Sequence, residues 1–224
     1  MLKIAPHPSY PPEEGRYLRG NDFSPVAVAI ILNTEADKIS SDIEQLIRIG
    51  FESGAALSGT IQTPNIGFEK MICNVVANPN IRYLILGGPE SAGHLTGDAL
   101  KALFQHGVDE KKRIIGTSAS YPVLYNISLE MIERFRRQVT LIDLQFEADP
   151  VVIAQAIYAC YQEEPMTFRS LTLYDPGAFP EPPIEGSVTW RVTRPWCEPE
   201  NEQERTAVRK VDYMIAMLKA RRKR

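Results

Sequence analysis

The chain is poor in cysteine, in histidine and in long apolar runs, and each shortage removes a class of function. Its three cysteines (Cys73, Cys160 and Cys197) stand far apart without Cys-x-x-Cys spacing, so no disulfide framework or cysteine metal site is encoded. They read as reduced thiols of an intracellular protein. The three histidines (His7, His94 and His106) offer no pair at metal-ligand spacing, which argues against a zinc or iron site built from protein side chains alone. The longest apolar run, residues 26–32, is too short to span a bilayer, and no charged-then-apolar export signal opens the chain. Neither sign of charge prevails. With 25 basic and 28 acidic residues the net is −3, which gives no overall pull toward nucleic acid or anionic lipid. These absences predict a cytoplasmic protein with no membrane span and no nucleic-acid partner. No Gly-x-Ser-x-Gly elbow, Walker lysine or spaced carboxylate pair singles out a hydrolase or an ATP site either.

What is there is a core and a rhythm. Hydrophobic residues make up 44% of 224 positions, ample for one packed domain with an extension. Residues 1–25 hold Pro6, Pro8, Pro11, Pro12 and Pro25, which disfavour a regular element and predict an arm on the surface. Residues 26–32 form a continuous apolar run, expected of a strand covered on both faces. Ser41 and Glu44 have capping-box spacing and open a helix with Ile43, Leu46 and Ile47 on one face. Further strands are predicted at 55–59, 81–86, 113–116 and 139–144, and further helices at 67–77, 96–106 and 128–138. Asp149 followed by Pro150 reads as an N-cap with proline at the first helical position, opening a helix that carries Ile153, Ile157 and Tyr161.

Strands alternating with helices from residue 26 to 165 predict an α/β domain: a Rossmann-like, open, mostly parallel sheet with helices on both faces. Residues 166–224 form a C-terminal extension, with extended segments at 166–174 and 187–193 suggesting a hairpin around a proline-rich loop. A last helix from about residue 200 carries a stripe of Val211, Met214, Ile215 and Leu218 and ends in the basic run 219–224. It reads either as a docking helix with cations at its C-terminus or as a contact to a partner or membrane surface.

In open α/β sheets ligands bind beyond the carboxyl ends of the strands. Three loops qualify: residues 60–65, 87–96 and 117–121. The middle loop is the most informative, because Gly87, Gly88, Gly93 and Gly97 lie between a strand and a helix and permit close backbone approach to a bulky ligand. A plain glycine-rich connection would look the same. The spacing is not a dinucleotide fingerprint, which disfavours a nicotinamide site. His94 precedes the helix start, where the helix dipole opposes an added proton and leaves a neutral ring with a free lone pair. Such a ring serves as a hydrogen-bonding residue or as a metal ligand, and in the second case the other ligands must come from a cofactor. Glu90 is the nearest acid and reads either as an orienter or ligand contact or as a solvated carboxylate. Thr63, Asn65 and the cap candidate Thr96 offer uncharged groups at the rim or serve as turn residues. Gly116 and Pro122, which bracket the third loop, complete the candidate set.

At this loop the sequence resembles a known family, the A subunits of tetrahydromethanopterin S-methyltransferase, and the similarity runs from about Gly15 to Phe179. It is strongest in Asn65-Ile-Gly-Phe-Glu-Lys70, Asn78-Pro-Asn-Ile-Arg82, Gly93-His-Leu-Thr-Gly97, Lys101-Ala-Leu103, His106-Gly-Val-Asp109 and Asp175-Pro-Gly-Ala-Phe179. The resemblance implies a Rossmann-like domain that holds a cobalamin-type corrinoid, with His94 as axial ligand to cobalt. It implies a methyl relay of methanogenesis from N5 of methyl-tetrahydromethanopterin through cobalt to the thiolate of coenzyme M, with methyl-donor and methyl-acceptor subunits as partners. The family member of the membrane complex ends in a transmembrane anchor, whereas this tail is polar and basic, which implies a soluble homologue. The loop departs from the family pattern at Pro89, Ser91, Ala92 and Asp98, positions that bear on corrin contacts. Three readings result: a methyl-carrying corrinoid protein, a non-catalytic cobalamin-binding module, or a Rossmann-like domain without the cofactor.

Overall fold

The structure is a computed structural model, and it describes residues 2–34, 38–188, 198–199 and 201–221. Strands are β1 (Tyr17–Arg19), β2 (Val26–Ile31), β3 (Leu57–Ile61), β4 (Tyr83–Gly87), β5 (Thr140–Asp143), β6 (Met166–Phe168) and β7 (Leu171–Leu173). Helices are α1 (Ser41–Glu52), α2 (Ile66–Val76), α3 (Thr96–His106), α4 (Leu129–Gln138), α5 (Pro150–Cys160) and α6 (Glu202–Arg221). Five strands form one sheet in the order β1-β3-β2-β4-β5, parallel throughout except for β1.

The central strand β2 shows why its apolar run is continuous. Side chains alternate across a strand, so Ala27, Ala29 and Ile31 enter the core beneath α2, α3 and α4, while Val26, Val28 and Ile30 enter the one beneath α1 and α5. Both faces are dry, as the sequence predicts. Ser40, rather than Ser41, caps α1, its hydroxyl accepting from the Ile43 amide at 3.4 Å. Asp149 caps α5 as expected, accepting from the Val151 amide at 2.9 Å.

The N-terminal arm departs from the expectation of an irregular surface segment. Its prolines end at Pro12 and resume at Pro25, and β1 lies in the stretch between, paired antiparallel with β3. Tyr10 and Glu13 are buried. The strand expected at 113–116 is absent: isolated bridges join Val108 to Ile114 and Arg113 to Val123 instead. The reason is local. Lys112 and Gly116 both take positive φ, the Asp109 carboxylate turns the chain by accepting from the Lys111 and Arg113 amides, and only Ile114 of this stretch is buried.

The hairpin of the extension closes within 166–174, through β6 and β7 around Arg169 and Ser170, and packs on α5. The second predicted segment, 187–193, lies outside the described residues from 189 onward. Between them the chain runs along the amino edge of the sheet. Asp175 pairs with Lys3 at 2.6 Å, the Gly177 carbonyl accepts from Arg82 at 3.1 Å, and Phe179 lies under the Arg134 guanidinium at 4.4 Å. The Asp175–Phe179 motif is therefore an anchor at the pole away from the rim loops. In α6, Val211 is half-buried and Met214 exposed; the side chains of Ile215 and Leu218 lie outside those described. No helix among the described residues is long and apolar enough to cross a membrane.

Candidate functional site

The chain leaves β2 for α1 on one face and leaves β4 for α3 on the other, so the loops diverge at the carboxyl ends of these neighbouring strands. This is the switch point at which open α/β sheets take ligands. The loop from Gly88 to Leu95 stands there with His94 near its end. The His94 side chain is exposed, and no hydrogen bond to it occurs among the described residues.

Its loop, by contrast, is tightly held. Leu95, the residue before α3, adopts a left-handed conformation (φ 51°) and supplies no side-chain cap. The exposed amides of the helix start need partners, and two upstream residues provide them. The Ser91 hydroxyl accepts from the Thr96 amide at 3.1 Å. The Glu90 carboxylate accepts from the Gly97 and Asp98 amides, both at 3.0 Å, and from Gln145 Nε2 at 3.1 Å. Burial opposes ionisation of Glu90, but the Gly97 amide, Gln145 and the Ser91 and Asp98 amides outweigh it and hold the carboxyl below the ordinary carboxylate range. Glu90 is thus neither a solvated loop acid nor hydrogen-bonded to His94. It is the cap of α3.

Thr96 is the first residue of α3 and not its cap; buried, it donates its hydroxyl to the Gln62 carbonyl at 2.6 Å and accepts from Ser91 at 2.6 Å. Thr63 accepts from the Gly67 amide at 3.2 Å. Asn65 caps α2 through the Ile66 amide at 2.8 Å, and its Nδ2 donates to the Tyr121 carbonyl at 3.4 Å. The third loop is brought to the same rim. Asp98 accepts from the Thr117 hydroxyl at 2.6 Å and the Ser118 amide at 3.1 Å, and Ser120 donates to the Gly93 carbonyl at 3.3 Å. Tyr121 and Tyr125 stand exposed beside it, their rings 6.4 Å apart.

The glycines divide into two groups. A Cβ on Gly87 would meet Ile30, one on Gly88 the Ile31 carbonyl, and one on Gly97 the Gln145 amide. Those three are small because protein packs against them. Gly93 alone of the loop's four glycines faces open space, with nothing within 4 Å of a Cβ there. Gly116 lies against the His106 ring, and Pro122 is buried, its carbonyl accepting from the Ile114 amide at 2.9 Å. Both support the third loop from behind. Sequence reasoning missed Ser91 and Asp98 as fasteners, and missed Gln145 and Ser120 altogether. The partners of Asp98, Gln145 and Ser120 lie in other loops, so no local spacing marks them, and Ser91 bonds Thr96 five residues on, outside the usual capping spacing.

No three His, Cys, Asp or Glu side chains come together as a metal site among the described residues. A single imidazole fits a metal only where a cofactor brings the remaining ligands. The exposed ring beside open space at Gly93 suits a bulky group laid against the rim.

Residues 3–178 match the family of tetrahydromethanopterin S-methyltransferase A subunits. The chain is 39% identical over 186 residues to the second of the two such A subunits of Methanothermobacter thermautotrophicus, covering 82% of this chain and 90% of that protein. It is 37% identical over 166 residues to the corresponding second form of Methanobrevibacter ruminantium, covering 74% and 80% respectively. Against the first form of Methanothermobacter marburgensis it is 40% identical over 168 residues, covering 75% of this chain and 66% of that one. With the family match extending over the sheet, the His94 loop and both of its supporting loops, the chain belongs to the family of tetrahydromethanopterin S-methyltransferase A subunits.

Proposed function

We propose that this protein carries a cobalamin-type corrinoid against the rim, with the His94 imidazole as axial ligand to its cobalt. The observation that supports this most is the contrast within one loop: an exposed imidazole with no hydrogen bond among the described residues, on a backbone fastened through Glu90, Ser91 and Asp98. A fastened backbone leaves only the ring's own side-chain rotations to be lost on binding, which favours coordination. Bound there, the corrinoid supplies a cobalt centre able to accept and release a methyl group. The chain's own residues set where that centre sits. Gly93 leaves room for the macrocycle, and Tyr121 and Tyr125 offer apolar surface beside it. Gly87, Gly88, Gly97, Gly116 and Pro122 act from beneath as packing for the loops rather than as contacts. Thr63, Asn65, Glu90 and Thr96 act likewise, through the hydrogen bonds they make.

The relatives' names give the reaction class, an S-methyl transfer that involves tetrahydromethanopterin. On this reading the donor is methyl-tetrahydromethanopterin and the acceptor the thiolate of coenzyme M. Separate methyl-donor and methyl-acceptor subunits are then the partners with which the chain works.

Hydroxocobalamin added to the purified chain, followed by removal of the excess, tests the reading. The expected result is stoichiometric retained absorbance with a base-off, histidine-coordinated spectrum that changes in His94→Ala. Because the side chain is exposed, that substitution leaves stability within about 0.5 kcal/mol of the parent, so the spectrum reports on coordination and not on folding. Equal spectra remove the axial-ligand role. A colourless protein identifies a domain without the cofactor, and a coloured one inert with every methyltransferase partner identifies a non-catalytic binding module.

A further inference from the structure

A crevice of about 130 Å³ lies between α2 and the strands β1 to β4, and it shares no lining residue with the His94 loop. Protein interiors hold few voids larger than a water molecule, so room on this scale has a cause. Small side chains supply it. Where β2 and β4 fill the same core with Ile31 and Leu86, the crevice wall is Ala27 and Ala29. Gly59 of β3 lets the arm come close enough to roof it, since a Cβ there would run into the Arg16 carbonyl and Tyr17. Glu14, Gly15 and Arg16 are exposed, so the crevice reaches solvent between this stretch and α2.

The lining decides what fits. Leu57, Ile61, Val75 and Leu84 are buried walls, and the partly buried Tyr17 and Met71 complete them. Its polar groups are already engaged. Asn74 accepts from the Glu13 amide at 2.8 Å and donates to the Glu13 carbonyl at 3.1 Å. The Tyr17 hydroxyl donates to that carbonyl at 2.7 Å. Lys70 donates to the Glu14 carbonyl at 3.3 Å and stands 3.8 Å from the buried Glu13 carboxylate.

No buried side-chain polar atom of the described lining residues lacks a partner. A water placed there therefore misses the about two to four partners that hold one in an interior. A charged molecule would give up hydration with nothing to replace it. At the mouth, Glu14 and Arg16 are of opposite sign and favour neither an anion nor a cation. Size sets the other limit: an apolar cavity of about 150 Å³ takes up benzene or xenon.

We propose that the crevice beneath the arm is a binding site for a small, uncharged apolar molecule of about the size of benzene, seated between Ala29 and Met71. Such a ligand touches the arm, β3 and α2 together, so its binding ties the arm to the body. The site does not use His94 and does not rest on the corrinoid reading.

Benzene is the probe, titrated into the full chain by calorimetry. Saturable one-site binding is expected, and the unfolding midpoint rises with benzene concentration because only the folded chain has the site. Ala29→Ile fills the crevice from β2 and weakens binding about tenfold or more. Without benzene its unfolding midpoint holds or rises, since the added carbons enter existing room, whereas overpacking a solid core would lower it. Met71→Phe fills the crevice from α2 with the same expected outcome, and it decides the matter if Ala29→Ile does not fold. Benzoate and benzylamine, which add a charge of either sign to the same ring, bind more weakly by about tenfold or more, and His94→Ala leaves the benzene titration unchanged. Failure of benzene to saturate, undiminished affinity or a lowered midpoint in both filling variants, either charged ring binding as tightly as benzene, or loss of the titration in His94→Ala would each overturn the proposal.

Discussion

Glu90 and Gly97 are joined by a 3.0 Å hydrogen bond in which a helix amide donates to a carboxylate standing well before the helix begins. The carboxylate takes the place of the missing cap at Leu95 and closes the His94 loop into a ring. Holding the helix start and holding the backbone that carries the imidazole are therefore one structural task.

Glu90→Ala is expected to lower stability by about 1–2 kcal/mol, the usual loss for a helix cap, measured by urea unfolding at pH 7. The effect depends on pH with a definite sign. The folded carboxyl titrates below its ordinary value of 4.5, so its contribution is complete above that value and disappears as pH falls through the folded one. The gap between parent and Glu90→Gln should accordingly narrow in acid. A gap that stays constant from pH 7 to pH 3 would show that the charge is not what stabilises the loop.

Gly88 and Gly93 share a positive φ but not their surroundings. Gly93→Ala bears only the left-handed backbone cost of about 1–2 kcal/mol. Gly88→Ala adds a contact of 2.9 Å with the Ile31 carbonyl and should be the more destabilising by at least about 1 kcal/mol. Unfolding midpoints of the two variants compare them directly, and equal midpoints would contradict the close packing at Gly88.

Arg134 is 2% exposed yet charged, and it donates to Gln138 at 3.0 Å and to the Pro182 and Glu181 carbonyls, both at 2.9 Å. Burial lowers its pKa, the nearby Glu181 opposing this. Arg134→Met should cost about 2–3 kcal/mol, since charged hydrogen bonds are the strong ones. Limited proteolysis should then cut first between residues 175 and 188. Unchanged cleavage there would mean the segment is held by other contacts.

Burial pushes the Cys73 thiol up to about 12, and the Cys160 thiol is raised for the same reason, so neither forms the reactive thiolate near neutrality. Peptide mapping after iodoacetamide at pH 8 should find both unlabelled in the native protein and labelled in urea. Native labelling of either would show local opening of α2 or α5.

Periodicity made the sheet readable. The run at Val26–Ile31 and the helical faces of α1, α3 and α5 follow from spacing alone, because burial on both faces or on one face leaves a pattern in the sequence. The stretch around Ile114 misled for the same reason: its apolar residues resemble a strand, but the turns at Lys112 and Gly116 leave no length for one. β1 was invisible because an edge strand of three residues is chosen by its partner, here Gly59 opposite Tyr17, and not by its own pattern. At the rim, His94 and its loop stood out by glycine content. The task of Glu90 did not, since its amide partners Gly97 and Asp98 lie seven and eight positions on, beyond capping-box spacing, and Gln145 is 55 positions away in the chain.

The arm and the extension meet at the amino edge of the sheet, where the Ala178 amide donates to the Leu2 carbonyl at 2.8 Å and Ile4 bonds Asn80 at 3.0 Å. The start of the arm and residues 175–179 thus gather at the pole opposite the imidazole, whereas Gly186 and α6 lie by the start of α4, where residues from 126–131 and 201–210 line one crevice. A protein tethered through its N-terminal arm would swing on the far side, leaving the approach to His94 clear for a succession of visitors.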